Sequence, residues 1–175
     1  MILRRTLTGE SDAGPRERFR RSVTALLEGR RVRGLVIGMV AGGIATAVMS
    51  CFRVPISRSP PPPAWFWAKY VAGGEPGDHL VPAGVLHLAY GIGGGALFGA
   101  LVAAREGEPE SVSERRATLL GLLYGLLLSA FGVSVLMERV LDLNLEPDER
   151  FVFHVGHVVY GLTLGTWFGA NAGER

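Results

Sequence analysis

Charge is what this sequence withholds. Four stretches of its 175 residues, 34–52, 81–104, 117–137 and 151–173, contain no Asp, Glu, Lys or Arg. A water-soluble domain of this length spreads its charges throughout, so these gaps exclude an ordinary soluble fold. They also lack the polar alternation of a membrane-spanning strand, which excludes a barrel and leaves helices as the way to satisfy the backbone in lipid. Cysteine is almost missing. Cys51 stands alone, cannot form an internal disulfide, and is expected to be a small buried residue. Catalytic signatures are missing too. The chain has no P-loop, nucleophile elbow, Cys-x-x-Cys-His or His-Glu-x-x-His, and its glycine triads lie inside the apolar stretches, not after a strand.

The apolar runs themselves are informative. They are 19 to 24 residues long, and about 20 helical residues cross the roughly 30 Å hydrocarbon core. The expected fold is an all-α membrane protein with four transmembrane helices at about 34–52, 81–104, 117–137 and 151–173, preceded by an Arg-rich tail over 1–33. That tail carries nine arginines, and the positive-inside rule then puts the N-terminus in the cytoplasm. Four crossings return the C-terminus to the same side, with thirteen Lys and Arg residues inside against five outside. The expected location is the cytoplasmic (inner) membrane, multi-pass, with both ends inside. A secretory signal fits poorly because the basic region is long, and Met49 sits badly in a lipoprotein cleavage site at Cys51. Within the tail, Phe19, Val23, Leu26 and Leu27 share one face of a short amphipathic helix suited to anionic headgroups. No aromatic interleaving supports nucleic acid as a partner.

One segment is written twice. His87, Tyr90, Gly91, Gly95, Phe98, Gly99 and Ala100 recur, at a constant offset of 70, as His157, Tyr160, Gly161, Gly165, Phe168, Gly169 and Ala170. More weakly, Gly38, Gly42, Thr46 and Ala47 answer Gly121, Gly125, Ser129 and Ala130. The chain therefore reads as two tandem hairpins, parallel repeats related by an axis along the membrane normal. Each helix also carries small residues at every fourth position, among them Gly38/Gly42, Gly91/Gly95/Gly99, Gly121/Gly125 and Gly161/Gly165/Gly169. Helices in lipid associate where small residues let backbones approach, so these rows are expected to be helix contacts. If the rows face a central axis, His87 and His157 at their ends meet there.

The first external loop holds Pro60–Pro63 and then Ala64-Trp-Phe-Trp-Ala-Lys-Tyr. Trp65, Trp67, Lys69 and Tyr70 suit a short helix lying at the interface, and the alternative is a lid over an external cavity. This proline-rich loop, the glycine-striped helices and Gly156-His157 opening a fourth helix after an acidic loop resemble the YagU-type small inner-membrane proteins. The resemblance covers roughly residues 34–170. It implies four membrane helices and membrane location, and it supplies no catalytic residue and no biochemical activity.

Ionisable groups near lipid gather at the external end: Arg53, His87, Glu138, His154 and His157, with Tyr90 and Tyr160 nearby. An ionisable side chain at membrane depth is a functional candidate by default. Three roles are open. A structural or auxiliary membrane component, alone or within a homo-oligomer or larger complex, uses the histidines only for hydrogen bonds between helices. A small-solute or proton transporter, or a binding protein, uses the His/Tyr cluster as its site. A third role holds haem or a metal between His87 and His157, with no thiolate cluster to help.

Overall fold

The computed structural model describes residues 15–106 and 112–172, and every regular element among them is helical. Helix α1 spans Pro15–Arg53, α2 Pro62–Trp67, α3 Leu80–Glu106, α4 Glu114–Phe131 and α5 Pro147–Ala172. α2 widens into a π-helical turn at Ala68–Ala72, and a 3-10 turn at Pro76–His79 leads into α3. α4 continues without a break as π-helical turns over Gly132–Leu141. Four helices are long and apolar enough to cross a membrane, at Arg31–Arg53, Pro76–Arg105, Glu114–Leu141 and Pro147–Ala172.

These helices outrun the uncharged stretches for local reasons. Ser113 caps α4, its hydroxyl accepting from the Arg116 N–H at 3.4 Å, and Glu114 adds negative charge to the first turn. α5 opens on Pro147 with Asp148 and Glu149 behind it, a first turn matched to the helix dipole. The π-helical extension stops where Asp142 takes a left-handed conformation at φ 60°. At the other extreme α1 begins at Pro15, so the amphipathic tail segment and the first span form one continuous helix. The side chains of Phe19, Val23, Leu26 and Leu27 lie outside the described residues. Cys51, expected to be buried, is exposed on α1; it falls on a face that no other helix covers.

Among the long helices, α1 packs on α3, α4 packs on α5, and α1 crosses to α5. A Cβ built on Gly38 would fall on the Gly95 carbonyl oxygen, and one on Gly42 would meet Gly91 and Gly95. In the second pair, a Cβ on Gly121 would meet Gly161 and Gly165, and one on Gly125 would meet His157 and Gly161. Backbones touching this closely gain dispersion contacts that lipid tails would otherwise supply. The rows thus face the partner within their own pair and not a central axis, because close backbone contact inside each pair uses up the small-residue face.

The two contact registers also differ from the pairing read along the sequence. Gly42 meets the Gly91 carbonyl and the Gly95 Cα, and it is Gly121, not Gly125, that meets the equivalent Gly161 carbonyl and Gly165 Cα. The second pair is therefore displaced by one helical turn. Larger side chains fill the space between pairs: Ala41, Ala45 and Met49 of α1, Phe98 and Val102 of α3, and Tyr160, Leu164 and Phe168 of α5. The Phe98 ring meets Phe168 edge-on and Tyr124 at a tilt, each with centroids 5.5 Å apart.

Candidate functional site

The connections between α1 and α3 and between α4 and α5 lie at the same end of the bundle and clasp each other. The Arg58 N–H donates to Glu149 Oε1 at 2.8 Å, and its guanidinium pairs with Asp148 at 3.5 Å. Lys69 Nζ and the Tyr70 hydroxyl both donate to the Val140 carbonyl, at 3.1 and 2.6 Å. The tryptophan segment is thereby tied to the end of the π-helical extension. Ala64 is fully buried, and Trp65 and Phe66 pack against the cluster of Val133, Met137, Leu141 and Phe153. Proline at the start of α2 presets the helical φ and needs no N–H partner.

Beneath α2 lies a cavity of about 240 Å³ with mostly apolar walls. Every long helix contributes: Thr46, Met49 and Arg53 from α1, His87 and Tyr90 from α3, Leu128 and Phe131 from α4, Phe153, His157 and Tyr160 from α5. Pro62, Pro63 and Phe66 of α2 form its roof. The lid-like placement of the tryptophan segment is thus the one its contacts favour.

Each polar group of the wall has a definite setting. His157 is buried, with Nδ1 3.0 Å from the Phe153 carbonyl oxygen. A carbonyl only accepts, so Nδ1 carries the proton of this bond. The Phe153 ring lies 4.4 Å from the His157 ring. Below the histidines, the Tyr160 hydroxyl donates to the Gly91 carbonyl and the Tyr124 hydroxyl to the Gly94 carbonyl, both at 2.8 Å. Tyr160 and Gly91 belong to the cavity wall, whereas Tyr124 and Gly94 lie outside it. Thr46, also in the wall, bonds back to the Gly42 carbonyl at 2.7 Å.

Arg53 occupies the junction with a second cavity of about 170 Å³, which it lines together with Glu146 and Glu149. Its guanidinium stacks on the Phe153 ring at 5.4 Å, and its stem packs where a Cβ on Gly156 would stand. The Arg53 Nε is buried without a hydrogen-bond partner.

Of the seven residues singled out in sequence, the structure brings Arg53, His87, Tyr90, His157 and Tyr160 to one cavity. His154 points elsewhere, sharing a 2.7 Å hydrogen bond with the Ser129 hydroxyl, and Glu138 pairs with Arg150 at 3.2 Å on the surface. His154 precedes His157 by three residues, an offset of about 60° around α5, and its ring meets Ser129 of α4. No hydrogen bond joins His87 to His157 among the described residues. Nor do three His, Cys, Asp or Glu side chains gather there in a metal-binding group. Phe66, Leu128, Phe131 and Phe153 were not legible as site residues, since apolar side chains in an apolar helix carry no sequence signal. Pro62 and Pro63 did carry one, as part of the proline run.

No family model, no characterised protein and no solved structure matches this chain.

Proposed function

We propose that this chain is a multi-pass protein of the cytoplasmic membrane that binds a small, mostly apolar solute in the roofed cavity at its extracytoplasmic end. The observation that carries the reading is the convergence of all four spans and α2 on one apolar cavity furnished with two histidines, two tyrosines and an arginine. Ligand sites combine mostly apolar walls with a few placed polar groups, and this cavity has that make-up, though its 240 Å³ lies below the usual range of roughly 300–1,000 Å³. The arginine-rich tail supports the orientation with both termini inside and anionic headgroups as its partners. The matched His, Tyr, Gly and Phe positions support descent of the two hairpins from one duplicated unit, and kinship with the YagU-type proteins is part of the same proposal.

Binding is favoured over conduction. The glycine rows are occupied by helix contacts, and the tyrosine bonds to Gly91 and Gly94 obstruct a path deeper into the bundle. The second reading is an auxiliary membrane component without a ligand, supported by the same glycine contacts. A fluorescent apolar probe, 1-aminoanthracene, distinguishes the two. In nanodiscs the protein is expected to bind it saturably above empty-disc background, and Leu128→Trp, which fills the cavity, is expected to abolish that binding. Signal indistinguishable from empty discs would favour the auxiliary role.

A further inference from the structure

The cavity holds one permanent charge that forms no ion pair among the described residues. The guanidinium of Arg53 remains protonated in proteins, yet its Nε is buried without a partner, and no carboxylate pairs with Arg53 among the described residues. Two carboxylates, Glu146 and Glu149, share the second cavity with it; neither forms an ion pair with it among the described residues, and Glu149 accepts the Arg58 N–H at 2.8 Å. Phe153 stacking and the nearby carboxylates offset part of this charge, but a buried guanidinium N–H without a partner is costly, and the cost falls when an anion arrives with correct hydrogen-bond geometry. The chamber below offers the reverse chemistry, with walls of Met49, Leu128, Phe131 and Phe153.

The side of the cavity matters as well. α3 and α4 are not one of the closely packed helix pairs. Tyr90 and Phe131, which line the cavity from those two helices, are 45% and 52% exposed. In a bilayer those surfaces meet acyl chains, so an occupant's chain has a way in from lipid and room to extend beyond the 240 Å³ of the chamber.

We infer, resting on the binding role proposed above, that the occupant is a single-chain anionic amphiphile, a carboxylate or phosphate head on an apolar chain. Its head pairs with Arg53 at the junction of the two cavities, and its chain lies in the chamber and leaves between α3 and α4.

The test is displacement of 1-aminoanthracene from the full chain in nanodiscs by dodecanoate, dodecyl phosphate, dodecanol, dodecyltrimethylammonium and inorganic phosphate. Both anionic amphiphiles are expected to displace the probe at about ten- to hundredfold lower concentration than dodecanol, the scale of a charged hydrogen-bonded pair. Arg53→Gln is expected to abolish that preference while leaving dodecanol displacement intact, which also reports that the variant is folded; Arg53→Lys is expected to keep part of it. Equal displacement by dodecanol, a preference for the cation, or an unchanged preference in Arg53→Gln would overturn the inference while leaving an apolar binding site. Displacement by inorganic phosphate alone would also overturn it, by pointing to a water-soluble anion. Should Arg53→Gln fail to fold, the ranking on the parent protein decides. Absence of probe binding at the outset would sink the binding role itself.

Discussion

The Tyr160 hydroxyl donates to the Gly91 carbonyl oxygen at 2.8 Å, joining α5 to α3 across the boundary between the two helix pairs. Tyr90 holds the matching place in the similar segment 70 residues earlier but is 45% exposed, whereas Tyr160 is 2% exposed. One tyrosine of the pair is a structural link, and the other stands at the cavity's lipid-facing edge.

Tyr160→Phe is therefore expected to destabilise the bundle by about 0.5–1.5 kcal/mol, the range for hydrogen bonds between membrane helices. Tyr90→Phe should leave stability nearly unchanged. Thermal melting of both variants in the same detergent checks the difference, and equal losses would contradict the asymmetry.

Glycines in the same helix should respond very differently to alanine. A Cβ on Gly95 would collide with Gly38 and Gly42, whereas one on Gly93 meets nothing within 4 Å. Gly95→Ala and Gly121→Ala are expected to cost about 1–3 kcal/mol each, the scale of overpacking. Gly93→Ala should be neutral or slightly stabilising, because alanine restricts the unfolded chain. Leucine at Gly95 or Gly165 should unfold the bundle, and melting curves matching the parent would rule out these contacts.

The histidines should separate by role. His154→Ala removes a bond to Ser129 outside the cavity and is expected to lower melting temperature without changing probe affinity. His87→Ala alters the cavity wall and should change affinity with little effect on stability. An absorption spectrum of the purified protein, with metal analysis, addresses the remaining role of these rings. No Soret band is expected; one would favour haem held by His87 and His157.

Orientation follows from charge. A reporter fused after Arg175 is expected to read cytoplasmic if, as proposed, the tail arginines hold the N-terminus inside and the four candidate spans all cross. An extracytoplasmic reading would reverse the proposed topology and move the cavity to the inner side.

The four spanning helices were legible because hydropathy and length are local properties, and a run of 19 or more uncharged residues can satisfy its backbone in lipid in few ways. The glycine rows were legible as contact surfaces for a similar reason: a missing side chain is visible in sequence wherever it lies. Their partners were not. Gly42 against Gly91, and Gly121 one turn out of its sequence match, depend on how far one helix slides past another, which the summed contacts of both helices decide. Arg53, His87 and His157 announced themselves because ionisable groups are conspicuous at membrane depth, but the sequence could not separate them from His154 and Glu138, whose side chains turn to Ser129 and Arg150. The tryptophan segment shows the limit most clearly. Composition predicted a short helix at Pro60–Pro63 and the aromatics after them, and one stands at Pro62–Trp67. Only the tertiary structure decided that it roofs a cavity, because that depends on Lys69 and Tyr70 reaching the Val140 carbonyl some 70 residues away, a contact between chain segments and not a property of either one.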